Sequence, residues 1–192
     1  KDPYLWGAVL PRADALVISV GGMDQLPAAV PTYLRDGIPY VRPAALRRRV
    51  RDAYRVLSPP VIQATRGWLR QLPQDATDHY LARITQVVRH FNPDIPVVLV
   101  APGIHRSPAY PTDRHHEPAL LAARRWADKY QTGYIEIDDL ILPSLVDGTA
   151  NPDGIHYSWR THELVGQSVA EELRVVGFTA KRATAPRKKA TR

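Results

Sequence analysis

Three short apolar runs constrain what this chain can fold into. Ala15-Leu16-Val17-Ile18-Ser19-Val20 ends at Gly21-Gly22, Val97-Val98-Leu99-Val100-Ala101 lies between Pro96 and Pro102, and Tyr134-Ile135-Glu136-Ile137-Asp138 forms the third. Runs this short and this continuously apolar suit strands covered on both faces, as in a parallel sheet. Helical spacing fills the intervals. Leu46, Val50, Tyr54 and Leu57 recur on one helical face after Pro43, and Leu81, Ile84, Val88 and Phe91 on another that stops at Asn92-Pro93. Leu120, Ala123, Ala127 and Tyr130 mark a third helix; Val165, Val169, Leu173 and Val176 mark a fourth, closed by Gly177. This alternation predicts an α/β fold with a parallel sheet. Residues 22–42 and 58–76 are rich in Pro and Gly with poor periodicity, and are expected as loops that cover a site at the strand ends.

Composition narrows the function classes. The chain has 192 residues and no Cys, which excludes disulfides, thiolate metal sites and a cysteine nucleophile. No apolar run has the length of a membrane span. The net charge of +7 suggests a polyanion partner, but six of the 26 Lys and Arg lie in the last twelve residues, Lys181 to Arg192, with no acid among them. The first 180 residues are nearly neutral. The expected organisation is one domain over residues 1–180 and a disordered basic tail over 181–192, with no nucleic-acid role.

Two short stretches carry chemistry. In Asn151-Pro152-Asp153-Gly154-Ile155-His156, an Asp-x-x-His turn can bring a carboxylate to one imidazole nitrogen and leave the other as a general base. An ordinary Asx-turn is the plain structural alternative. In Gly21-Gly22-Met23-Asp24, directly after the first strand, backbone amides such as that of Gly22 can face an oxyanion, and a tight turn is the alternative. Around them, Arg47 and Arg48 on a basic helix are candidates for an anionic group, although a solvated face is the simpler reading. His105, close after the second strand, is a candidate pocket residue, and His116 reads as a surface histidine. Trp159 is the tryptophan best placed to meet substrate. No ligand spacing supports a metal.

Together the two stretches resemble the SGNH/GDSL hydrolase superfamily, whose third motif Gly-x-Asn-Asp matches Gly21, Gly22 and Asp24 and whose last motif Asp-x-x-His matches Asp153 and His156. With Arg42-Pro43-Ala44-Ala45-Leu46-Arg47-Arg48-Arg49-Val50-Arg51 added, the chain from Tyr4 to the last helix resembles the actinobacterial diglucosylglycerate octanoyltransferase family within that superfamily. The resemblance implies a flavodoxin-like three-layer α/β/α fold and a cytoplasmic acyltransferase. That enzyme would use no cofactor and move an octanoyl group from octanoyl-CoA or another acyl thioester to a glucosylglycerate. It implies Asp153 and His156 as catalytic residues, Gly22 at the oxyanion, and Gly21, Asp24, Arg47, Arg48, His105 and Trp159 around the substrate. Two departures stand out. Met23 occupies the position of the motif's Asn and cannot donate to an oxyanion, and no Gly-Asp-Ser motif precedes the first strand. The nucleophilic Ser is therefore expected on an N-terminal segment, with further strands, outside this sequence. A hydrolase or carbohydrate deacetylase using the same dyad, and a noncatalytic binding protein, are the alternatives.

Overall fold

The computed structural model describes residues 4–178. The basic tail expected at 181–192 lies outside them. Strands β1 (Leu16–Ile18), β2 (Val97–Val100) and β3 (Gly133–Ile135) form a parallel sheet in the order β1-β2-β3. Leu16 pairs with Val97 and Ile18 with Leu99; Val98 pairs with Gly133 and Val100 with Ile135. The helices are α1 (Thr32–Gly37), α2 (Ala44–Ala64), α3 (Gln74–Phe91), α4 (His116–Tyr130), α5 (Asp138–Val146) and α6 (Trp159–Val175).

Period-two alternation in β2 builds the layers. Val97 and Leu99 point into one core with Leu81 and Val88 of α3, Ala123, Trp126 and Ala127 of α4, and Ile18 of β1. Val98 and Val100 point into the other, with Ile135, Ile137 and Ile141 and the apolar stripe Val165, Val169 and Leu173 of α6. All four β2 side chains are buried; each contributes about 1.5–3 kcal/mol relative to exposure. The result is the expected α/β/α layering. It is incomplete over β1: α5 and α6 cover β2 and β3, leaving Val17 40% exposed.

The expected elements shift where local pattern and tertiary context compete. The third run gives a strand only to Ile135; Asp138 opens α5, which sequence reading missed. Residues 58–64 are helical, because α2 continues through Pro59 and Pro60 to Ala64. The apolar stripe of α2 forms, yet Leu46 and Leu57 remain exposed and Ile62 is the buried residue of the helix. The two Pro-rich segments hold each other. Ala28 N–H donates to the Leu69 carbonyl (2.8 Å) and Gln71 N–H to that of Leu26 (2.9 Å), around an antiparallel bridge between Pro27 and Arg70. Leu26, Pro27 and Ala28 are buried there.

Candidate active site

The Asp153–His156 turn is an Asx-turn and a dyad at once. One carboxylate oxygen of Asp153 accepts the backbone N–H groups of Ile155 (2.9 Å) and His156 (3.0 Å). The other lies 2.5 Å from His156 Nδ1. Those backbone donors, helped by the imidazole, hold the Asp153 carboxyl down at about 2. The carboxylate is thus ionised and oriented before any substrate arrives. Nδ1 is committed to it, and Nε2 makes no hydrogen bond among the described residues. This is the arrangement in which the free nitrogen serves as a base.

The turn is seated on the loop after β2. Arg106 N–H donates to the Gly154 carbonyl (2.8 Å), Gly154 N–H to that of Asn151 (3.0 Å), and Asn151 N–H to that of His156 (3.1 Å). Gly154 needs to be glycine for two reasons. Its φ is +67°, and a Cβ there would lie 2.4 Å from the Arg106 carbonyl oxygen. The next turn fixes the start of α6: Ser158 Oγ accepts Thr161 N–H at 3.1 Å, an N-cap.

Trp159 joins His156 along one cavity of about 510 Å³, with Asn151, Tyr157, Ser158, Arg160 and His162 among its lining residues. Trp159 is 91% exposed, so an apolar face is presented beside His156. His105 lines a second cavity, of about 320 Å³, with Arg106, Ser107, Tyr110 and Asp113. It is buried, which lowers its pKa, and it meets the Tyr110 ring edge-on. The two cavities flank the same junction, since Arg106 lines one and holds the turn that bears His156.

The loop after β1 is built differently from the motif reading. Gly21 adopts φ +94°, and Asp24 N–H returns to its carbonyl (3.0 Å). The Asp24 carboxylate accepts the Thr77 hydroxyl of α3 at 3.0 Å, so it anchors the loop to a helix. Gly22 has open space where a Cβ would sit, and its N–H has no partner among the described residues. Gln25, next along, buries its side chain and donates to the Gly103 carbonyl (2.8 Å), joining this loop to the one after β2.

Arg47 and Arg48 are not brought to the dyad. Arg47 donates to the Pro39 carbonyl (3.3 Å), in the short 3-10 turn Ile38–Tyr40 that α2 contacts, and Arg48 is exposed. His116 corrects the surface reading. It is 8% exposed and bonded through both ring nitrogens, to Gln25 and Asp138. Its neighbours are 91 and 22 residues away, so no local pattern announces it. Ser158 is a cap, Ser144 bonds the Ile141 carbonyl and accepts from Thr161, and Ser107 accepts from Ala109; no described serine is bonded to His156.

Comparison with known proteins places the chain in a family. No protein-family model matches the chain. It is 35% identical to the diglucosylglycerate octanoyltransferase of Mycolicibacterium hassiacum over 178 residues, 92% of this chain and 72% of that protein. It is 33% identical to the enzyme of the same name from Mycobacterium tuberculosis, over 92% of this chain and 70% of that protein. A solved structure of a peptidoglycan O-acetylesterase aligns with 54% of this chain and 34% of its own length, at 16% identity and a TM-score of 0.43. With more than two thirds of each curated relative covered at 33–35% identity, the chain belongs to the diglucosylglycerate octanoyltransferase family.

Proposed function

We propose that the chain transfers an octanoyl group from an acyl thioester to a hydroxyl of a glucosylglycerate, with His156 as the base. The observation that carries this reading is the dyad: a carboxylate fixed by two backbone amides, an imidazole fixed by the carboxylate, and a ring nitrogen left unbonded. Family membership supplies the substrate class.

The reaction replaces a C–S bond with a C–O bond. His156 Nε2 takes the proton of the attacking hydroxyl as the C–O bond forms. The imidazolium, stabilised by Asp153, returns that proton to the departing thiolate. In the two-step route expected for this superfamily, a serine hydroxyl attacks first and the sugar hydroxyl then takes the acyl group from it, with His156 serving both steps. The developing oxyanion needs a donor, and the unbonded Gly22 N–H is the one proposed, since Met23 offers none. Trp159 is proposed as the apolar platform for the sugar, and the cavity under His105 as the place for part of the donor.

Hydrolysis of the acyl group is the second reading. It is favoured by the exposure of the His156 side chain, 69%, which gives water access to the base. A serine-directed fluorophosphonate, read by intact mass, tests the covalent step. An adduct that His156→Ala abolishes supports the acyl-serine route; the absence of any adduct on an active enzyme contradicts it. Product analysis with and without the sugar acceptor then separates transfer from hydrolysis.

A further inference from the structure

A buried polar knot lies beneath the loops that leave the sheet. Gln25 Nε2 donates to the Gly103 carbonyl. That bond orients the amide, because reversing it would set two acceptors against each other. Gln25 Oε1 therefore faces His116 Nδ1, 2.9 Å away, and Nδ1 must donate. On the other side of the ring, His116 Nε2 lies 2.5 Å from Asp138 Oδ2, and one proton sits between them. The His116–Asp138 pair thus holds two protons, is neutral as a unit, and has no imidazole nitrogen free for acid–base work. Asp138 Oδ1 accepts the backbone N–H of Ile104 at 2.8 Å.

The knot leads to the active site by a short path. Gly103 and Ile104 are held by Gln25 and Asp138, and two residues later Arg106 N–H holds the Gly154 carbonyl within the dyad turn. The contact there is backbone on backbone, too close for a Cβ, so the turn follows any shift of Arg106. Gln25 also directly follows Gly21–Asp24, so the same knot fixes the loop bearing the Gly22 amide. α4 and α5 each supply one member of the pair at their first residues.

We infer that His116 and Asp138, with Gln25, are positioning residues: they hold the Gly103–Arg106 segment and, through the Arg106–Gly154 hydrogen bond, set the orientation of the Asp153–His156 dyad. The inference rests on His156 being the base, and its test includes readouts that need no turnover. Asp138→Ala removes both acceptors. Asp138→Asn keeps an oxygen for Ile104 and offers an N–H to a neutral His116, so it is the conservative rescue. Two measurements are made by NMR on the whole protein: hydrogen exchange at the Arg106 amide, and the side-chain nitrogen shifts of His156, which report whether Nδ1 carries the proton.

In Asp138→Ala, Arg106 exchange is expected to rise about tenfold or more while the amides within β2 keep their protection. His156 should lose its preference for the Nδ1–H form, and kcat should fall with little change in KM. Asp138→Asn should restore all of these towards the parent values. Parent-like Arg106 exchange and parent-like His156 shifts in Asp138→Ala, alongside a lower Tm, would overturn the inference and leave a merely structural pair. Failure of Asp138→Asn to restore them would overturn it too. Should Asp138→Ala not fold, Gln25→Met removes the Gly103 and Nδ1 bonds, and unchanged Arg106 exchange in that variant is then the overturning result. Absence of octanoyl transfer in the parent would count against the proposed function alone.

Discussion

Replacing Gly154 with alanine tests how the dyad is held. Two costs act at this position. A non-glycine residue at φ +67° costs about 1–2 kcal/mol. The new Cβ would also lie 2.4 Å from the Arg106 oxygen, 2.6 Å from its carbonyl carbon and 2.8 Å from Ser107 N. These are backbone atoms that no rotamer change can withdraw, and relieving the overlap adds about 1–3 kcal/mol. Gly148 is the control. Its φ is +77° with nothing within 4 Å of a Cβ, so Gly148→Ala carries the conformational cost alone, about 1 kcal/mol after the gain from a stiffer unfolded chain. Urea unfolding of the two variants, at equal m-value, should place Gly154→Ala lower by about 2 kcal/mol. A displacement of the turn by about 1 Å should also reduce turnover on the order of 100-fold, whereas Gly148→Ala should turn over at the parent rate. Equal stability loss in both variants, with parent turnover in Gly154→Ala, would refute the argument that the turn is seated on Arg106.

Asp153→Asn keeps the shape of the turn but removes the charge that stabilises the imidazolium; turnover should fall on the order of 10⁴-fold with Tm nearly unchanged, and a loss under tenfold would remove Asp153 from the mechanism. The Asp153 carboxyl is held at about 2, below its unfolded value. Its favourable pairing is therefore fully present above the unfolded pKa and is lost only as pH falls through about 2, so a carboxyl carbon titration should show Asp153 still ionised near about pH 3. Trp159→Ala removes a side chain that is 91% exposed; stability should change by less than about 0.5 kcal/mol while KM for the sugar acceptor rises, and an unchanged KM would discard the platform.

What could be read from residues alone follows from the range of the interactions involved. The sheet was legible because a buried strand carries its own signature, and the dyad because its donors, acceptor and glycine lie within four consecutive residues, Asp153 to His156. Helix α3 ended where Asn92-Pro93 said it would. The span of α2 was not legible, because Pro59 and Pro60 ordinarily break a helix and here the helix runs through them. Asp24 matched a motif, and the motif gave no sign that one of its carboxylate oxygens accepts the Thr77 hydroxyl, 53 residues away. His116 is the clearest case. In sequence it is the second of two histidines in a polar loop, and only the approach of Gln25 and Asp138 from other strand ends makes it a buried, doubly bonded group. Arg47 and Arg48 fell on the expected helix, and its pattern could not say which groups they would meet: Arg47 donates to the Pro39 carbonyl.

The proposed role of His156 as the base for acyl transfer is tested most directly by following octanoyl transfer from octanoyl-CoA to diglucosylglycerate by mass spectrometry, in the parent enzyme and in His156→Ala. The parent should yield an acceptor heavier by one octanoyl group, and the variant none, at matched protein concentration and confirmed fold. Transfer by His156→Ala at a rate near that of the parent would contradict it.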